Sequence, residues 1–180
     1  FFPYIDKLWF GEGFKYDEMT PDQWLVEVSG IPFGHMGDML HGGGNRWLGM
    51  VYGMTARMPW TDAADPRPVW QVWDEFGIAE ARMVGYWDPD CPVHADHPDV
   101  KVTAYIKDGR ALLAIGSWAR ETTKVNLTID WDALGLAPDT TALHAPAIKE
   151  FQDACTWSPD DPIHVLPLRG WLICLDKRQV

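Results

Sequence analysis

The 180-residue sequence predicts an α+β chain in two parts: a strand–helix α/β segment over about residues 1–90, then an antiparallel β-sandwich over about residues 98–180. Three observations lead to this. In the first half, short apolar runs alternate with helices that carry explicit start and stop signals. A stretch dense in Pro and Asp then interrupts the pattern at residues 88–99. After it, short alternating runs are separated by tight-turn dipeptides, which is the texture of consecutive antiparallel strands.

Ile5-Asp6-Lys7-Leu8-Trp9-Phe10 reads as a strand that ends at Gly11-Glu12-Gly13. Thr20-Pro21-Asp22-Gln23 is a capping box, with Thr at the N-cap, Pro at the first helical position and Gln at the third. Trp24, Leu25 and Val28 share one face of that helix, and Gly30 is placed to end it. After the Gly42-Gly43-Gly44-Asn45 loop, Leu48 to Met54 reads as a second buried strand. Asp65-Pro66 begins another helix, with Val69, Trp70, Val72, Trp73 and Phe76 as its apolar face and Gly77 as its stop. Strand, helix, strand, helix at this spacing implies a parallel α/β unit.

Beyond residue 99, Val100 to Lys107 alternates and turns at Asp108-Gly109, a hairpin signal. Ala111 to Trp118 continues the sheet, and Lys124 to Asp130 places Val125, Leu127 and Ile129 on one face. Ile163 to Leu168 and Trp171 to Leu175 close it, with a turn at Arg169-Gly170.

Hydrophobic residues make up 47% and charged residues 23%, enough apolar content for a packed core. No apolar run reaches the ~20 residues that a membrane helix needs. A net charge of −11 excludes a nucleic-acid partner, which requires a basic footprint, and disfavours anionic membranes. Three widely spaced cysteines, Cys91, Cys155 and Cys174, fit free thiols better than a disulfide framework. Eleven tryptophans are the unusual feature, because a Trp face packs equally well in a core or on a sugar ring.

Several motifs together resemble an uncharacterised bacterial family classed as glycoside-hydrolase-like. They are Leu8-Trp9-Phe10-Gly11-Glu12-Gly13-Phe14, Val28-Ser29-Gly30-Ile31-Pro32-Phe33-Gly34, Gly49-Met50-Val51-Tyr52-Gly53-Met54-Thr55 and Trp73-Asp74-Glu75-Phe76-Gly77-Ile78. Gly85-Tyr86-Trp87 and the closing Leu166-Pro167-Leu168-Arg169-Gly170-Trp171-Leu172 extend the likeness over most of the chain. The resemblance implies a (β/α)8-type catalytic barrel followed by a C-terminal β-domain. Residues 1–87 would then be the last βα units of a truncated barrel, and the chain the C-terminal piece of a longer enzyme that acts on carbohydrate. Such a piece is expected to be inactive alone and to cover its opened surfaces by forming a homodimer. A secreted or periplasmic parent is compatible with the sequence, which itself carries no recognisable leader.

Glycoside cleavage uses two carboxylates, about 5 Å apart for retention or ~6.5–9.5 Å apart for inversion. Glu12, flanked by glycines at the end of an apolar strand, is the first candidate, and Asp38 in the next rim-like loop is the second. His35, Asn45 and Arg46 could hydrogen-bond sugar hydroxyls, with Trp9 and Trp47 stacking on rings. The 88–99 stretch holds Asp, Cys and His but matches no zinc or calcium spacing, so no metal or other cofactor is expected. The rival reading is a non-catalytic β-module that binds glycans or only supports a barrel. A binding module would expose an aromatic platform, for example Trp118, Trp131 or Trp157, whereas a supporting module would bury those rings.

Overall fold

Residues 4–8, 13–39, 44–56, 61 and 64–177 are described in a computed structural model. The mixed helix-and-strand class holds. Lys7–Leu8 (β1) and Met36–Gly37 (β2) pair in parallel, Lys7 opposite Met36 and Leu8 opposite Gly37. Between them the capping box forms as expected. Thr20 Oγ1 accepts from the Gln23 amide at 3.2 Å, and Gln23 Oε1 accepts from the Thr20 amide at 2.9 Å. The helix Pro21–Gln23 (α1) widens into a π-type turn over Trp24–Val28, which buries Trp24 and Val28, and Gly30 stops it at φ 71°. Gly37 has no substitute, because a Cβ there would overlap the Val28 carbonyl oxygen.

Leu48 to Met54 is not a strand. Arg46–Met50 is a helix (α2) that runs into a turn through Gly53. The reason is local: the Asn45 side chain accepts from the amides of Trp47 (3.1 Å) and Leu48 (3.0 Å) and starts a helix where the apolar run alone suggested an extended chain. Arg67–Phe76 (α3) follows, ended by Gly77 at φ 79°. Asp65 assists its start by accepting from the Arg67 amide at 3.0 Å. Trp70 lies off the apolar face at 39% exposure and donates to Thr55 Oγ1 at 2.7 Å.

The remaining elements are strands, apart from one short helix and one 3-10 turn. In chain order they are Arg82–Val84 (β3), Val93–Ala95 (β4), Val100–Lys107 (β5), Arg110–Ser117 (β6), Thr123–Val125 (β7) and Leu127–Ile129 (β8). Then come Trp131–Leu134 (α4), Thr141–Ala145 (β9), Cys155–Trp157 (β10), Ile163–Val165 (β11) and Gly170–Lys177 (β12). Six of them form one antiparallel sheet in the order β10-β9-β12-β6-β5-β3. The expected hairpin is present, with Lys107 opposite Arg110 and Gly109 at φ 71°.

Two predicted elements change. The 88–99 stretch is not simply loop: it contains β4, which pairs with β8, and it buries Cys91. The single strand expected from Lys124 to Asp130 is broken at Asn126 into β7, which pairs with β11, and β8. Asp96 causes the break by accepting from both the Asn126 amide (2.9 Å) and its side-chain Nδ2 (2.7 Å).

These two ribbons oppose one face of the large sheet. Val93, Val125, Ile163 and Val165 pack there with Val102, Ala104, Leu113, Ile115, Ile173 and Leu175. The other face is equally apolar, as the run Ala111-Leu112-Leu113-Ala114-Ile115 requires, since alternate residues point to opposite sides. There Leu112, Ala114, Leu172 and Tyr105 pack against Met50 of α2, Val69 and Phe76 of α3, Ile148 and Phe151. Leu48, Val51, Tyr52 and Met54 are buried within one chain. Buried hydroxyls fix the docking: Thr103 Oγ1 donates to the Val51 carbonyl at 2.7 Å, and the Tyr105 hydroxyl to the Met50 carbonyl at 3.2 Å.

Thr103→Val keeps the shape but leaves the Val51 carbonyl unpaired in a dry interface. It should lower the unfolding free energy by about 1–3 kcal/mol in urea denaturation. A Thr103→Val protein as stable as the parent would show that this contact contributes nothing.

Candidate functional site

Trp9 and Glu12 lie outside the described residues. Of the other five predicted site residues, Asn45, Arg46 and Trp47 lie at the start of α2 against two loops of the strand-rich half, whereas His35 and Asp38 flank β2. Asp38 directly follows β2 and is 8% exposed. His35, 7% exposed, directly precedes β2, and its amide donates to the Gly30 carbonyl at 3.1 Å. The parallel register of β1 and β2 sets the C-terminal ends of the two strands side by side.

Asn45 links four groups. Its Oδ1 caps α2, while its Nδ2 donates to Asp17 Oδ1 at 2.8 Å and to the Leu168 carbonyl at 3.0 Å. All the hydrogen bonds it forms are therefore internal, and one crosses to the loop before β12. Trp47 behaves similarly: its indole N–H donates to the Phe151 carbonyl at 3.1 Å, and the two rings stack 5.3 Å apart at 14°. The Arg169 guanidinium lies 3.7 Å from the centre of the Trp47 ring.

Arg46 is the anomaly. It is 6% exposed, and Nε, Nη1 and Nη2 all lack a hydrogen-bond partner among the described residues. Its guanidinium lies 5.0 Å from the Trp47 ring centre and 5.3 Å from that of Phe151. Burial, and then the positive charge of Arg169, weaken its hold on its proton. Cation–π attraction is worth about 2 kcal/mol when desolvated. Burying an ion costs several kcal/mol, so the rings offset only part of it.

Sequence reasoning missed the partners of these residues. Leu168 reads as the end of a strand and Arg169 as a turn residue within the closing motif, and Phe151 carries no signal. Glu150 (φ 58°) and Leu168 (φ 54°) are the non-glycine residues with positive φ among those described, and both sit in the loops that grip Trp47 and Asn45. Left-handed backbone at non-glycine residues is uncommon and marks a place where the surroundings impose the conformation. A second polar node lies deeper. The hydroxyls of Tyr52 and Tyr86 sit 3.1 Å apart and both donate to the Pro21 carbonyl, at 2.8 and 3.1 Å. Burial pushes the Tyr86 phenol up to about 12.

Within residues 88–99, Asp96 holds Asn126, and Asp88 and His97 serve local turns. Asp88 accepts from the Asp90 amide at 2.9 Å, and His97 Nδ1 from the Asp99 amide at 3.2 Å. The Cys91 thiol faces the carbonyls of Val84, Val93 and Val102.

Residues 65–176 match the glycoside hydrolase 123, C-terminal domain, and residues 1–59 match the glycoside hydrolase 123, TIM-barrel domain. No curated protein matches the chain. The first match spans α3 and all the strands from β3 onward, and the second spans β1, β2 and α2.

Asn45→Ala should destabilise by about 2 kcal/mol through loss of the cap alone, and by more through loss of the Leu168 bond. Asn45→Ser, which keeps a cap acceptor, should recover only the first part. Equal thermal midpoints for Asn45→Ser and the parent would mean that the bond to Leu168 carries no weight.

Proposed function

This chain belongs to the glycoside hydrolase 123 family, and on that premise we propose that it is the C-terminal part of an enzyme that hydrolyses glycosidic bonds. The strand-rich domain acts as a buttress that holds the rim of the catalytic half. The observation that carries this reading is the seam at the start of α2, where Leu168, Arg169 and Phe151 grip Asn45 and Trp47. A module appended only to bind glycan would not need to share a core with the βα segment.

In this reading Glu12 serves as acid/base or nucleophile, and Asp38, beside the end of β2, is the second carboxylate candidate within the chain. Hydrolysis needs one carboxyl to protonate the leaving oxygen and another to act as nucleophile or to activate water. In this reading His35 and Arg46 would supply the polar contacts to a ligand near that rim, and a buried guanidinium with only aromatic rings against it favours an oxygen-rich one. Trp9 remains a candidate stacking surface. Asn45 and Trp47 are positioning residues. Without the rest of a barrel around it, the rim cannot assemble, so the piece alone is inactive.

The rival glycan-binding reading needs an aromatic platform. Trp118 is only 9% exposed, and Trp131 and Trp157 are half-buried against the strand core, which favours the buttress.

The test is made in the full-length enzyme with an aryl glycoside substrate. Glu12→Gln should lower kcat by ~10²–10⁴-fold, the usual contribution of a positioned acid/base. Asp38→Asn should lower it comparably if Asp38 is the partner. Full activity in Glu12→Gln would remove Glu12 from the mechanism. Loss of polysaccharide binding in Trp131→Ala or Trp157→Ala would favour the binding module instead.

A further inference from the structure

We propose that His144, Cys174 and Asp176 form a binding site for a zinc-class divalent metal ion on the face of the large sheet that packs against α3. The site rests on strand register. Cys174 of β12 lies directly opposite His144 of β9, and Asp176 is two residues further along β12 on the same face. One donor atom from each residue lies within 4.8 Å of the other two. Bonds of ~2.0–2.3 Å to a tetrahedral ion set donors about 3.5 Å apart, so small rotations close the site. His144 Nε2 and Asp176 Oδ2 are already 3.0 Å apart.

Imidazole nitrogen, thiol sulfur and carboxylate oxygen together make a donor set suited to Zn²⁺ or Co²⁺, with the fourth position left to water. The Cys174 side is buried, whereas the side chains of His144 and Asp176 are 40% and 29% exposed, which leaves a path for an ion. The surroundings also divide the carboxylate. Arg110 of β6 donates from Nε to Asp176 Oδ1 at 2.8 Å and rests 4.9 Å from the Phe76 ring centre. Oδ2, the oxygen turned toward His144, is hydrogen-bonded to that imidazole and not to Arg110, so an ion would take the place of the His144–Asp176 bond while Arg110 holds Oδ1. The Glu75 carboxylate of α3 adds negative potential at Cys174, and the chain as a whole carries −11.

Burial pushes the Cys174 thiol up to about 11, so without an ion it stays protonated. Binding breaks the S–H bond, forms the sulfur–metal bond and releases that proton to solvent; His144 Nε2 likewise gives up the proton it shares with Asp176, to solvent or to Nδ1, before its nitrogen–metal bond forms. The ion would cross-link β9 to β12.

The experiment titrates Co²⁺ into the protein and follows the near-ultraviolet thiolate-to-cobalt charge-transfer band. One equivalent should bind with that band, be displaced by Zn²⁺ and raise the thermal midpoint. Cys174→Ser should abolish the band. His144→Gln, a half-exposed position that leaves the core intact, should weaken binding by at least ~100-fold, and Arg110→Met by ~10-fold. Cys155→Ser should change nothing. A band that survives Cys174→Ser, or natively folded protein with no band at saturating cobalt, overturns the site. The second result would leave the Arg110–Asp176–His144 group as an ion-pair network only.

Discussion

The large sheet has two apolar faces, and the rest of the structure depends on how the second one is closed. A sheet with one wet face would leave Leu112, Ala114 and Leu172 in water, at a cost of about 1.5–3 kcal/mol for each leucine. Here α2 covers those residues together with α3 and the loop holding Ile148 and Phe151. The last carbonyls of a short helix have no partner within it, and buried ones are costly. Thr103 and Tyr105 reach up from β5 and satisfy the carbonyls of Val51 and Met50, so the requirement of the helix end and that of the sheet face are met by the same contact. Gly116 allows the close approach, because a Cβ there would meet Val51 Cγ2 at 2.7 Å.

The start of α2 inherits its position from that docking. Asn45 and Arg46 open α2, so a displaced α2 would move both. The aromatic stack Trp24–Tyr52–Trp87, with centroid steps of 5.8 and 5.6 Å and planes within 6°, ties the same turn to the capped helix on one side and to the chain entering the strand-rich half on the other. The segments that match two consecutive domains of one family therefore share two buried clusters, one around Tyr52 and Trp118 and one around Met50 and Leu112. This is the physical content of calling the second domain a buttress.

Features set by nearby residues were legible in the sequence. The Thr20 capping box, the Gly77 stop and the Asp108-Gly109 hairpin depend on spacings of four residues or fewer, and each formed as read. The apolar run from Leu48 to Met54 was misread because a short apolar run has no period that separates strand from buried helix. Asn45 decided it, yet a lone Asn after three glycines looked like loop. The break at Asn126 depends on Asp96, 30 positions earlier, and no local pattern announces it. The site follows the same rule. Asp38, His35, Asn45, Arg46 and Trp47 could be picked out as polar or aromatic residues beside glycine-rich loops. Their partners Phe151, Leu168 and Arg169 lie more than a hundred residues away and come close only through the sheet register. His144 and Cys174 are likewise joined by a cross-strand pairing that the sequence does not display.

The central claim is that the βα segment and the strand-rich domain form one cooperative unit joined at α2. Native-state hydrogen exchange tests it most directly, because it reads the opening free energy of each amide. The account predicts that the helical amides of Gly49 and Met50 share the opening free energy and denaturant dependence of Leu113 and Ile115 in β6. If the α2 amides exchanged through a separate, lower-energy opening while β6 stayed protected, the two halves would be independent and the buttress reading would be wrong.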